Sequence, residues 1–141
     1  GHTYLGHPTA CAAAHAVLQK LLAENLPARV REIGRRLFRA LQSSFGQHPY
    51  IGDIRGRGLF LGLEFVQDRD NKTPFHPELG INRKIRASAL EAGLICYPMG
   101  GTVDGYSGDH LLLAPPFILE DNHIDEIIEK LSTTFAAALP S

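Results

Sequence analysis

Residues 51–66 read IGDIRGRGLFLGLEFV, and the spacing of their apolar side chains decides the fold class. Upstream of Ile51 apolar residues recur with a period near 3.6; here they alternate around glycines, the signature of extended chain. The pattern predicts a short strand, a turn at Gly56–Gly58 and a longer strand, most naturally an antiparallel pair. Glycines 56, 58 and 62 imitate part of a dinucleotide-binding fingerprint, but that fingerprint opens a helix, whereas these glycines lead into a strand pattern. The glycines are therefore read as serving tight turning and close strand contact.

Before this pair the sequence is helical. From Thr9 to about Glu24, Ala10, Ala13, Ala14, Val17, Leu18 and Leu21 recur at helical spacing, with Pro8 placed to begin the helix. Small side chains let another element approach closely, so this helix is expected to be buried along much of its length. Asn25 and Pro27 then open a second helix with the apolar stripe Val30, Ile33, Leu37, Phe38, Leu41 and Phe45. Its other face carries Arg31, Glu32, Arg35, Arg36 and Arg39 and reads as ordinary solvated surface. After the strand pair, a polar connection over 67–80 leads to a third helix near Ile81–Ala92, stopped by Gly93. Leu94–Tyr97 is predicted as a strand, Pro98–Gly108 as a glycine-rich loop and His110–Ala114 as a further strand ended by Pro115 and Pro116. A last helix carries Ile124, Ile127, Ile128, Leu131 and Phe135. The predicted class is α+β, with helices covering one face of a small, largely antiparallel sheet.

Composition narrows the function. With 141 residues the chain has room for one core of ordinary size and too little for two. Fourteen Lys plus Arg against 15 Asp plus Glu give a formal charge of −1, which supplies no electrostatic footprint for nucleic acid or anionic membrane. No apolar run approaches the roughly 20 residues a bilayer demands, and no signal-peptide pattern opens the chain. Two cysteines, Cys11 and Cys96, match no metal or redox spacing. The chain reads as cytoplasmic. It opens on Gly1 inside a Gly/His/Pro-rich turn, which reads as a piece of something longer.

Two constellations are candidates for chemistry. The octet Gly1-His2-Thr3-Tyr4-Leu5-Gly6-His7-Pro8 places a hydroxyl and backbone N–H groups before a helix, the makings of a phosphate cradle. His7, Cys11 and His15 fall at i, i+4 and i+8 on one helix face, but the outer two lie about 12 Å apart along the axis. No single ion is reached by all three, and they are read as packing and capping residues, with no metal site. No GxSxG motif occurs, and Asp53, Glu64, Asp104 and Asp109 show no dyad pattern.

Together, GHTYLGHPTACAAAHAVL, IRGRGLFLGLEF and GDHLLLAPPFIL closely resemble the C-terminal portion of class III aminotransferases, the fold type I enzymes that use pyridoxal phosphate. The resemblance implies a division into residues 1–24, a cofactor-phosphate loop and connecting helix leading from a large domain, and residues 25–141, the small C-terminal domain. It also implies a homodimer in which Thr3, with His2 beside it, binds the phosphate of the partner subunit's cofactor. The implied partners are the large domain, the second subunit, a small amine donor and a keto acid.

Two departures from the family pattern matter. The lysine that holds the cofactor as a Schiff base belongs upstream of the opening motif, and Lys20, Lys72, Lys84 and Lys130 read as solvated side chains. The chain alone is therefore expected to be inactive, with no catalytic residue of its own. The arginine that many relatives place three residues before the GD pair, to clamp a substrate carboxylate, is replaced by Gly105. Tyr97, Tyr106 and His110 are near that position and are read as packing residues. The rival reading is a stand-alone, non-catalytic interaction or assembly module with the same fold.

Overall fold

The computed structural model describes residues 3–140. Its helices are α1 (Pro8–Ala23), α2 (Leu26–Phe45), α3 (Ile81–Glu91) and α4 (Asp121–Ala138), with a 3-10 turn at Pro77–Leu79. The strands β1 (Ile51–Arg57), β2 (Phe60–Phe65), β3 (Tyr97–Gly100) and β4 (Asp109–Leu113) form one antiparallel sheet in the order β1-β2-β4-β3. The α+β class expected from the sequence is the one observed.

Register decides which side chains face the core. Ile54, Leu63, Leu111 and Pro98 form one row across the four strands, and all four are buried beneath the helices. The neighbouring rows, Arg55-Gly62-Leu112-Tyr97 and Asp53-Glu64-His110-Met99, lie on the opposite face, as the period of two requires. Among the described residues no helix covers that second face. The core joins the covered face to Leu37 and Leu41 of α2, Ile85 of α3 and Leu131 of α4, all fully buried.

The strand pair joins through Gly58 and Leu59, with Gly58 at φ +61°, so the turn falls slightly later than its expected place at 56–58. Helix α2 crosses this turn with no room to spare. A Cβ built on Gly34, which is buried on α2, would land on the Gly58 carbonyl well inside van der Waals contact. Gly34→Ala is therefore expected to lower unfolding stability by about 1–3 kcal/mol through forced separation of helix and hairpin, despite alanine's better helix propensity. Chemical denaturation checks this, and an unchanged or raised midpoint contradicts it.

Two expectations need correction. The strand predicted at Leu94–Tyr97 lies at Tyr97–Gly100, because Leu94 and Cys96 pack against the core during the approach from α3. Pro98, read as the start of a loop, is tolerated because β3 is an edge strand. The second correction concerns α1, which has no buried residue: Val17, Leu18 and Leu22 are 58%, 57% and 80% exposed. Nothing among the described residues packs on its alanine face, and every buried hydrophobic side chain belongs to residues 26–139. Asn25 separates α1 from α2 in the left-handed conformation at φ 47°, without the side-chain cap its identity suggests.

Candidate phosphate-binding turn and open sheet face

Residues 3–6 form a turn in front of α1, closed by the His7 N–H donating to the Tyr4 carbonyl at 3.0 Å. Gly6 at φ +74° gives the reversal. Pro8 starts the helix at its first position, where no N–H is needed. The His7 side chain caps that end, its Nδ1 accepting from the Ala10 N–H at 3.4 Å. Thr3 is exposed, and among the described residues its hydroxyl has no hydrogen-bond partner. His2 lies outside the described residues.

Thr3 stands five residues ahead of the 16-residue helix α1, and its hydroxyl is a donor of the kind a phosphate oxygen accepts from. Lys20 pairs with Glu24 at 2.5 Å and Lys130 with Glu126 at 2.6 Å, and Lys72 and Lys84 are exposed.

The open sheet face carries the other grouping. Thr102 Oγ1 lies 2.6 Å from His110 Nδ1, and His110 sits directly across from Glu64. On the next strand Arg55 donates to Asp53 at 3.0 Å and lies 4.0 Å from Glu64. The Thr102–His110 contact pins the glycine-rich loop to the sheet. The loop folds on itself, with the Thr102 N–H donating to the Gly108 carbonyl at 3.2 Å and the Val103 N–H to that of Ser107 at 3.0 Å. Asp104 accepts from the Ser107 and Tyr106 N–H groups, which hold its carboxyl below the usual range.

Gly105 sits in this loop at φ +87°. A side chain there is strained by roughly 1–2 kcal/mol, so the backbone itself disfavours an arginine at this position. Tyr97 and Tyr106, expected to pack, are 59% and 70% exposed; His110 is half-buried. Asp109 of the GD pair, by contrast, is buried and accepts from the Asn82 backbone N–H at 3.1 Å and its side-chain amide at 2.7 Å. It thus ties β4 to the first turn of α3. Sequence reasoning missed this role because nothing in the sequence brings residues 82 and 109 together.

Cys96 is poorly suited to nucleophilic work, since burial pushes its thiol up to about 11 against a weaker opposing pull from Arg86. Among the described residues no three His, Cys, Asp or Glu side chains gather as metal ligands, and no helix is long and apolar enough to cross a membrane.

Known proteins resemble this chain over nearly its whole length. The model of the family described as aminotransferase class-III matches residues 1–135. An uncharacterised aminotransferase of Schizosaccharomyces pombe is 46% identical over 141 residues, covering 98% of this chain and 31% of that protein. A thermostable (S)-enantioselective omega-transaminase from Thermomicrobium roseum superposes with TM-score 0.86 at 32% identity, over 99% of this chain and 29% of that one. A PLP-bound aminotransferase mutant from Vibrio fluvialis superposes with TM-score 0.83 at 34% identity, over 93% and 27%. The chain thus spans less than a third of the length of these proteins, and what it matches is their C-terminal portion.

Proposed function

The chain belongs to the class-III aminotransferase family, and from that membership we propose that it is the C-terminal part of an enzyme transferring an amino group from an amine or amino acid to a keto acid. Residues 1–24 form the phosphate loop and the connecting helix from the large cofactor domain; residues 25–141 form the small domain. The observation that carries this reading is the state of α1. It has no buried residue, while the buried hydrophobic core lies wholly between residues 26 and 139. A helix with Val17, Leu18 and Leu22 in solvent is built for a covering surface that these residues do not supply. A self-sufficient module would leave that face bare without purpose.

In the complete enzyme, a homodimer, bound pyridoxal phosphate supplies the electron-accepting ring that lets an amino group pass between carbon skeletons. This chain's own contribution is to bind and to orient. The Thr3 hydroxyl and N–H, with His2 beside them, donate to the phosphate of the cofactor held by the partner subunit. The open sheet face and its pinned loop form a wall toward the large domain. Recognition of a substrate carboxylate falls to groups other than residue 105. The lysine that anchors the cofactor belongs to the large domain, so the isolated chain is inactive.

The test uses a chimera in which the C-terminal 31% of the Schizosaccharomyces pombe relative is replaced by this chain. Thr3→Ala in that chimera is expected to weaken cofactor retention by about 1–3 kcal/mol, the worth of a hydrogen bond to a charged group, read by equilibrium dialysis against pyridoxal phosphate. Equal affinity for the two chimeras removes Thr3 from the site.

A further inference from the structure

Helix α1 is joined to α2 through one residue. Asn25 is left-handed, at φ 47° and ψ 42°, and Lys72 is the other non-glycine residue at positive φ among those described. The Asn25 side chain makes no capping bond to α2; asparagine serves here because it enters the left-handed region more readily than most residues. The joint has no slack. The Asn25 N–H donates to the Leu22 carbonyl at 3.2 Å, and its own carbonyl accepts from the Ala28 and Arg29 N–H groups at 3.0 and 3.3 Å, so both helices bond to the same residue. Pro27 stands in the first turn of α2. A helix running straight through would drive its ring into the Ala23 carbonyl and lose a hydrogen bond there, which blocks fusion of the two helices. On the far side α2 is anchored, since Leu26 is buried and Arg29 Nη2 donates to the Leu119 carbonyl at 2.6 Å. Helix α1, with no buried residue, takes its direction from this joint.

We propose that Asn25 and Pro27 form an elbow that fixes the direction in which α1 leaves the small domain, and that through the helix they position Thr3. The second half of this rests on the reading of Thr3 as a phosphate ligand given above. Leverage makes the joint matter. The 16 residues of α1 extend about 24 Å, so a change of about 20° at the elbow moves the far end by about 8 Å, well outside the range of a hydrogen bond. Asn25 and Pro27 are positioning residues: neither touches the phosphate, and both act through the helix they aim.

Spin labels on Cys11, which is exposed, and on Arg39→Cys, with Cys96→Ser to leave a single pair, read the elbow in the 141-residue chain by pulsed dipolar spectroscopy. Along an unbroken helix these two positions stand about 42 Å apart; the elbow holds them closer. Asn25→Ala with Pro27→Ala removes both the left-handed preference and the block, and is expected to lengthen the separation toward that value. Asn25→Gly, which keeps the left-handed region open, is expected to leave the distance as it stands. The urea transition is expected to persist in both, because the buried core begins at Leu26. In the chimera with the Schizosaccharomyces pombe relative, the double substitution is expected to weaken pyridoxal phosphate retention about tenfold or more, and Asn25→Gly to preserve it. Four results overturn the proposal: a distance unmoved by the double substitution, one moved as far by Asn25→Gly, loss of the urea transition, or a doubly substituted chimera that holds the cofactor as tightly as the unsubstituted one. An unsubstituted chimera without cofactor fails the family reading instead, and the distance then decides the elbow by itself.

Discussion

Supplied with pyridoxal phosphate, an amine donor and a keto acid, the 141-residue chain is expected to form no amino-transfer product above the uncatalysed background. Transaminases must hold the cofactor and move a proton at the reacting carbon, and an amine positioned beside that carbon does both. None of the four lysines here is so placed: Lys20 and Lys130 are engaged with Glu24 and Glu126 on helix surfaces, and Lys72 and Lys84 are exposed. Thr3, in the turn before α1, is exposed. Enzymatic acceleration is typically about a millionfold or more, so the loss is total in practice. Product analysis by chromatography checks it, and turnover proportional to the concentration of this chain contradicts it.

The second large effect concerns folding. Phe135→Ala is expected to cost about 3–5 kcal/mol of stability, roughly a fifth or more of what a domain of this size has to lose. Phe135 is 2% exposed and stands where three elements meet. Its ring lies 5.0 Å from Phe45 of α2, 5.4 Å from Phe65 of β2 and 6.2 Å from His48, each in edge-to-face contact. Truncation opens a cavity and removes three aromatic contacts at once, whereas an isolated aliphatic deletion removes only packing. His48 adds a consequence for pH. Burial pushes its imidazole below the ordinary value, so the unfolded chain binds the proton more readily and stability falls as pH drops through the ordinary histidine range. Urea denaturation reads both effects, and a Phe135→Ala loss below about 1 kcal/mol contradicts the packing argument.

Much of the fold is legible in the sequence, for identifiable reasons. The β1–β2 hairpin announces itself because one covered face leaves a period of two in Leu61, Leu63 and Phe65, all buried. Helix α2 announces itself through Ile33, Leu37, Leu41 and Phe45, likewise buried. Strand β3 does not, because Leu94 and Cys96 continue an apolar run before the ladder begins, and Pro98 looks like a stop unless the strand is known to lie at an edge. The burial expected of α1 fails for a different reason: its alanines record a need for a covering surface, not where that surface comes from. In the site, the turn at Thr3 can be found from glycine, hydroxyl and helix start. The contacts of Asp109 with Asn82 and of Thr102 with His110 depend on strand pairing and loop closure that no local pattern encodes.

If this chain completes a class-III aminotransferase from its C-terminal side, it must restore a cofactor site when joined to the other two thirds of such an enzyme. The decisive quantity is the pyridoxal phosphate retained after dialysis by the chimera of this chain with the remainder of the Schizosaccharomyces pombe relative. About one cofactor per subunit, in a dimer, is the expected result. A soluble, folded chimera that holds no cofactor, beside a parent protein that does, would contradict that role.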